Sequence, residues 1–196
     1  MADEERDRDR APAADEVRAR QRDEYGGLNW GAAFFGWLVA IGMAAILTGI
    51  LSAAGAAIGL TEVSGSEARG SAEEISLLGA IVLVLILALA YYCGGYVSGR
   101  MSRFDGARQG VGTWVIGLLV TILLAVLGAI ADAEYNVLAK LELPRIPVDE
   151  GSLTTGGIIA LIAVLLLTLL AAILGGKAGE RYHRKVDRVG FEAARA

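Results

Sequence analysis

Residues 151–176 read GSLTTGGIIALIAVLLLTLLAAILGG and contain no charged side chain. Three more uncharged stretches precede this one, at Tyr25–Thr61, Ile75–Gly99 and Gln109–Ala131. Each is long enough to cross a bilayer, which takes about 20 mostly apolar residues per helix. The sequence therefore predicts an all-α bundle of four membrane spans, at about residues 30–60, 75–99, 109–131 and 153–176.

The charged residues outside these spans divide the 196-residue chain into three parts. Residues 1–24 alternate acidic and basic side chains, and we expect a charged, largely disordered leader there. Residues 25–185 form the predicted membrane domain, and residues 186–196 form a tail. The first span is the longest, and from Trp30 to Leu60 it would rise about 46 Å, more than the hydrocarbon thickness of about 30 Å.

The distribution of basic residues predicts the orientation of the spans. Of 18 Lys and Arg, 15 lie in the leader, the second loop and residues 177–196, and the other two loops hold 3. Short basic loops stay in the cytoplasm, so we expect both termini there. The first apolar stretch is too long for a cleavable signal peptide, so we expect it to stay as the first span. The single cysteine, Cys93, permits no internal disulfide.

An ungapped shift of 81 residues aligns landmarks of the first span pair with those of the second. Arg22 and Glu24 align with Arg103 and Asp105, and Gly94-Gly95 aligns with Gly175-Gly176. This register predicts two parallel helical-hairpin repeats, related by an axis along the membrane normal. Chance identity among abundant Gly, Ala, Leu and Val is the alternative explanation.

Small residues spaced by four recur in all four spans and predict close helix packing toward the cytoplasmic leaflet. Residues four apart share a helix face, and small ones let backbones approach closely in lipid. The twelve positions are Gly36, Ala40, Ala44, Ala90, Gly94, Ser98, Gly117, Thr121, Ala125, Ala171, Gly175 and Gly179.

A second stripe of small residues occurs in the first span, with alternating spacings of three and four. Its members are Gly42, Ala45, Gly49, Ser52, Ala56 and Gly59. The favoured interpretation is additional packing within the chain, because this is the commoner use of small residues. The alternative is a face for a second copy or a partner subunit.

The spans hold no ionisable cluster that would suggest ion-coupled transport. One histidine and one cysteine make metal binding improbable, and no catalytic, cofactor or nucleic-acid motif is recognisable. Basic residues should ring the cytoplasmic mouth, where they set topology or hold anionic lipid. This predicted rim consists of Arg100, Arg103, Arg108, Lys177, Arg181, Arg184 and Lys185.

Two segments, residues 94–110 (GGYVSGRMSRFDGARQG) and residues 29–36 (NWGAAFFG), resemble small four-span membrane proteins of high-GC Gram-positive bacteria. The resemblance covers roughly residues 25–185. It implies a bacterial cytoplasmic membrane and no activity, since that family is uncharacterised.

These features favour a structural or accessory membrane protein that is not an enzyme and needs no cofactor. It would pack with itself or with a partner complex in the membrane. The alternative is a passive channel or carrier for a small neutral or anionic solute. A continuous polar cavity would favour that alternative, whereas a dry, glycine-packed centre would favour the accessory role.

Overall fold

A computed structural model describes residues 16–57 apart from residue 18, residues 68–135 and residues 155–193. These parts are helical except at residues 26–29 and 102–105, and they contain no strand. The four long helices are α1 (Trp30–Ala57), α2 (Ala68–Met101), α3 (Gly106–Tyr135) and α4 (Thr155–Ala193). Residues 16, 17 and 19–25 are also described as helical.

All four long helices are long and apolar enough to cross a membrane. The candidate spans are Trp30–Gly55, Gly79–Met101, Gly106–Ala131 and Gly157–Arg184. The chain is therefore consistent with a multi-pass integral membrane protein.

The helices extend further than the uncharged stretches from which they were predicted. α2 begins at Ala68 rather than near residue 75, and α4 continues to Ala193. At 39 residues, α4 is about 58 Å long. α1, which the sequence made the longest span, is the shortest of the four long helices at 28 residues, and residues 58–60 lie outside the described part.

The helices pack side by side in the order α1, α2, α4, α3 around the bundle, and α2 also contacts α3. Among the described residues α1 does not contact α4. A strict two-fold axis along the bundle would exchange α1 with α3 and α2 with α4. The contact between α2 and α3 would then require an equal contact between α1 and α4. The two hairpins therefore depart from that symmetry, and the duplication itself stays a prediction.

The core occupies only one half of the bundle. Every described residue that is buried lies within residues 32–40, 90–117 or 168–179. These segments lie where α1 and α3 begin, α2 ends and α4 becomes charged, and we call this region the basic end. In the other half, large side chains such as Ile50, Leu124 and Ile159 are exposed, as expected for a surface that faces lipid.

Candidate functional site

A buried polar stripe along the start of α3 is the centre of the basic end. Gln109 and Thr113 are spaced by four and therefore share one face of α3, and Asp105 immediately precedes the helix. Gln109 and Thr113 are fully buried, and Asp105 is 8% exposed. Buried polar groups of this kind need hydrogen-bond partners, because leaving them unpaired is costly. Their partners lie on α1, on α2 and in the segment that precedes α1.

Asp105 binds the segment before α1 through both carboxylate oxygens. Oδ1 accepts a hydrogen bond from Nη2 of Arg22, and Oδ2 accepts one from the amide of Gly27 at 2.9 Å. Arg108 adds a weaker ion pair, with Nη1 3.7 Å from Oδ2. Asp105 has a φ of 57° and Gly27 a φ of 102°, so both sides of this contact are left-handed turns.

These contacts lower the pKa of Asp105 below its ordinary value. Burial alone would raise the pKa, but the Gly27 amide, the Arg22 guanidinium and the charge of Arg108 outweigh it. The same hydrogen bond raises the pKa of Arg22. Both side chains therefore stay charged at neutral pH, and the ion pair is intact.

Gln109 holds the backbone that leads into α1. Its Oε1 accepts a hydrogen bond from the amide of Asn29 at 3.2 Å, and its Nε2 donates one to the carbonyl of Gly27 at 2.8 Å. Asn29 in turn caps α1, because its Oδ1 accepts a hydrogen bond from the amide of Ala32. A single amide side chain on α3 thus fixes the entry of α1.

Thr113 and Ser98 form a buried hydroxyl pair where α1, α2 and α3 meet. The Thr113 hydroxyl donates to Oγ of Ser98 at 3.0 Å, and the carbonyl of Ala33 lies 3.4 Å from it. The Ser98 hydroxyl donates to the carbonyl of Gly95. Both hydroxyls are therefore satisfied inside the protein, without a ligand.

The charged part of α4 binds the connection between α2 and α3. Oε2 of Glu180 accepts a hydrogen bond from the amide of Gly106 and so caps the start of α3. The Arg100 guanidinium lies 3.5 Å from the centre of the Tyr182 ring, and Nε2 of His183 is 2.7 Å from the Arg100 carbonyl. Because of these contacts, α4 remains helical and packed against the bundle beyond residue 176, where its apolar stretch ends.

Glycines at the predicted small-residue positions allow the backbones to touch. A methyl group built on Gly36 would lie 2.6 Å from the Gly94 carbonyl oxygen and 2.8 Å from Cβ of Ser98. Gly175 and Gly179 lie against the backbone of Tyr92 and Tyr96 in the same way. The other predicted positions that are buried are Ala40, Ala90, Gly94, Ser98 and Gly117.

Two positions of the predicted packing set require a correction. Thr121 and Ala125 are exposed, because α3 beyond Gly117 has left the core. Thr121 instead donates a hydrogen bond to the carbonyl of Gly117 in its own helix. Ala44 and Ala171 are half-buried. The spacing of four therefore marks a buried helix face only in those parts of the bundle where a second helix is close.

The second small stripe of α1 makes little contact within the chain, contrary to the favoured interpretation. Ala45, Gly49 and Ser52 are exposed, and nothing lies within 4 Å of a methyl group built on Gly42 or Gly49. The part of α1 beyond residue 40 lies away from the neighbouring helices, and these small residues therefore have few contacts within the chain. The Ala56 side chain and Gly59 lie outside the described residues.

The members of the predicted basic rim differ in their contacts. Arg108 pairs with Asp105, and Arg184 pairs with Glu180 at 3.5 Å. Nη1 of Arg100 is buried without a hydrogen-bond partner in the described structure, and the Tyr182 ring covers the guanidinium. Arg103 lies 5.8 Å from the Phe104 ring centre and is exposed. Lys177 and Arg181 are exposed, and the Lys185 side chain lies outside the described residues.

The sequence reasoning missed the polar contacts that organise the basic end. It treated Asp105 only as a repeat landmark, and it assigned no role to Gln109, Thr113 or Glu180. A signal was available, since Asp105, Gln109 and Thr113 recur every four residues at the entry to a span. The sequence did not indicate that their partners would be the segment before α1.

The residues that the structure describes contain no group of three or more His, Cys, Asp or Glu that could hold a metal ion. No family model, curated protein or solved structure matches the chain. The function must therefore be argued from the geometry of the chain itself.

Proposed function

We propose that the chain is a non-enzymatic integral membrane protein with a structural or accessory role, packing with itself or with a partner complex. The observation that carries this proposal is the use of its buried polar groups. Asp105, Gln109, Thr113 and Ser98 all bond to other parts of the chain. Their chemistry holds helices together and leaves no reacting group aimed at a substrate.

The glycine contacts favour this role over a passive channel or carrier. Gly36 lies against Gly94, and Gly99 lies against Gly176, so backbones meet in the middle of the basic end. A solute path along the bundle would have to separate these helices.

The outer part of α1 offers a surface for the partner. Gly49 and Ser52 are exposed in a helix long enough to cross the membrane, and small residues allow another helix to approach closely. A second copy of the chain and a different membrane subunit are both suitable occupants.

The location that fits this role is a bacterial cytoplasmic membrane with both termini in the cytoplasm. The concentration of Lys and Arg in the leader, second loop and tail supports that orientation. The resemblance to four-span proteins of high-GC Gram-positive bacteria supports the location.

Contacts between the entry to α1 and the entry to α3 support the proposed pair of parallel hairpin repeats. Asn29 bonds to Gln109, which is 80 residues away, and Arg22 bonds to Asp105, which is 83 residues away. Both separations are close to the 81-residue register of the sequence. Superposing residues 22–103 on 103–184 tests this point, and a failure of α1 to overlay α3 would refute the duplication.

Anionic lipid at the basic rim is a further part of the proposal. Lys177 and Arg181 are exposed on one face of α4, and a basic side chain near an anionic leaflet contributes about 1 kcal/mol of attraction. We expect a Lys177→Gln, Arg181→Gln double variant to copurify with less anionic lipid. Arg20→Gln in the leader is the control, and unchanged lipid in the double variant would contradict this part.

The main proposal is tested by purification in mild detergent, with identification of copurifying proteins and measurement of oligomeric size. Gly49→Leu should remove the association, because a large side chain blocks close helix approach. Gly128→Leu is the matched control, since nothing lies within 4 Å of a methyl group at Gly128 either. A monomer without copurifying membrane protein would contradict the proposal, as would equal association of the two variants.

A further inference from the structure

A cleft between α1, α2 and α3 lies at the border between the packed core and the open half of the bundle. Its volume is about 190 Å³, and its walls are mostly apolar. The side chains that line it include Trp37, Ala40, Ile41, Leu87, Tyr91 and Thr121. Ile41 is 50% exposed, so the cleft opens toward the surrounding lipid.

Two hydrogen-bond donors among the lining residues have no partner in the described part of the chain. Thr121, which also lines the cleft, donates its hydroxyl proton to the carbonyl of Gly117. The Tyr91 hydroxyl and the Trp37 indole N–H make no such bond. In an apolar environment an unpaired donor is costly, so these groups favour an acceptor oxygen.

Gly117 forms the floor beneath both aromatic side chains. A methyl group at this position would collide with the Tyr91 hydroxyl, and it would lie 3.2 Å from Cδ1 of Trp37. The absence of a side chain at Gly117 therefore lets the two rings reach the cleft. Flat aromatic walls of this kind suit a flat ring.

The depth of the cleft restricts the source of the ligand. Tyr91 lies ten residues before Met101, the end of its candidate span, which is about 15 Å along the helix. This is about half of the hydrocarbon thickness of about 30 Å. Lipid ester groups lie at the interface, so a molecule dissolved within the membrane is the source that fits an acceptor oxygen at this depth.

We propose that this cleft binds a ring-sized apolar molecule that carries a carbonyl oxygen, with the Tyr91 hydroxyl as the hydrogen-bond donor. The size agrees, because an apolar cavity of about 150 Å³ holds benzene, and this cleft is somewhat larger. The carbonyl accepts the hydroxyl proton, and the apolar body contacts Trp37, Ile41 and Leu87. A benzoquinone with an alkyl chain has this chemistry, with its chain in the lipid.

The test uses the full chain in phosphatidylcholine nanodiscs and a benzoquinone that carries one decyl chain. Quinones quench tryptophan, so binding appears as a saturable component of fluorescence quenching. Tyr91→Phe removes only the hydroxyl and should weaken binding about five-fold, the value of one neutral hydrogen bond. Tyr92→Phe is the matched control, since Tyr92 is exposed and does not line the cleft, and its binding should equal that of the unmodified chain.

A second variant and a competitor keep the test independent of how Tyr91→Phe folds. Ile41→Phe narrows the mouth of the cleft from its exposed side without adding a tryptophan, and it should abolish the saturable component. Decylbenzene, which lacks the acceptor oxygen, should compete weakly and equally in the unmodified chain and in Tyr91→Phe. The proposal is overturned if the unmodified chain shows no saturable quenching, if Tyr91→Phe binds as tightly, or if decylbenzene competes as well as the quinone.

Discussion

Gly36 is a position of the basic end at which a single methyl group would collide with two other helices at once. A Cβ there would lie 2.6 Å from the Gly94 carbonyl oxygen, 2.6 Å from Oγ1 of Thr113 and 2.8 Å from Cβ of Ser98. Ordinary contacts begin near 3.4 Å, so three neighbours on two other helices are each too close by about 0.6 to 0.8 Å. Gly36→Ala must therefore push α1 away from both α2 and α3.

We expect this variant to lose about 1 to 3 kcal/mol of stability, the usual cost of overpacking a close-packed core. The loss is measured by titrating the purified chain in mixed micelles with sodium dodecyl sulfate and following helical circular dichroism. Gly42→Ala on the same helix is the matched control, because nothing lies within 4 Å of its added methyl group. It should be neutral, or gain up to about 1 kcal/mol from the lower backbone entropy of alanine. If Gly36→Ala is as stable as Gly42→Ala, the close contact of the three helices is wrong.

The remaining predictions concern the polar contacts. The pKa of Asp105 is lower in the folded chain than its ordinary value. The ionised carboxylate therefore contributes fully to docking of the leader above the ordinary aspartate pKa. This contribution is lost as the pH falls through the lowered pKa. A spin label in place of Tyr25, which is 72% exposed, should therefore stay immobilised at neutral pH and become mobile only in strong acid. Gln109→Leu should cost about 1 to 3 kcal/mol in the same detergent titration, because it leaves two backbone groups unpaired. In the unmodified chain the indole N–H of Trp114 donates a hydrogen bond to the Thr168 hydroxyl at 3.1 Å. Thr168→Val removes this bond, so it should cost about 0.6 kcal/mol of stability and change the fluorescence of Trp114.

Each of these measurements has a variant or outcome that decides it. In the spin-label experiment Asp105→Asn should mobilise the label at every pH, and an unchanged acid response would contradict the assignment. For Gln109, replacement of the exposed Val111 by Ala is the control, and equal stability of the two variants would count against the network. Thr48→Val, at an exposed position of α1, should leave the Trp114 spectrum unchanged.

The positions of the spans could be read from the sequence because the absence of charge has one cause, the hydrocarbon of the membrane. The same criterion could not locate the helix ends. α4 continues past Lys177 because Glu180, Tyr182 and His183 find partners on α2 and α3, and those partners are distant in sequence.

The small-residue faces were predictable for a similar reason, and they also show where the prediction fails. Gly36, Gly94 and Ala125 each belong to a set of small residues spaced by four. Gly36 and Gly94 contact another helix, whereas Ala125 is exposed. Spacing gives the face of a helix, whereas the separation of the bundle in its open half depends on tertiary packing. The role of Asp105 was not visible because Arg22 belongs to a segment interpreted as a solvated leader and Gly27 to the first uncharged stretch.

The central claim is that the helices converge on the buried hydroxyl pair of Ser98 and Thr113 at the basic end. Its most direct test replaces both residues by cysteine in a Cys93→Ala background and applies a mild oxidant to native membranes. With the two hydroxyl oxygens 3.0 Å apart, we predict rapid formation of a disulfide, detected as a linked peptide by mass spectrometry. Cysteines at Ser98 and Thr121, two turns further along α3, should not link. Absence of the first link, or equal formation of both, would contradict the packing of α2 against α3.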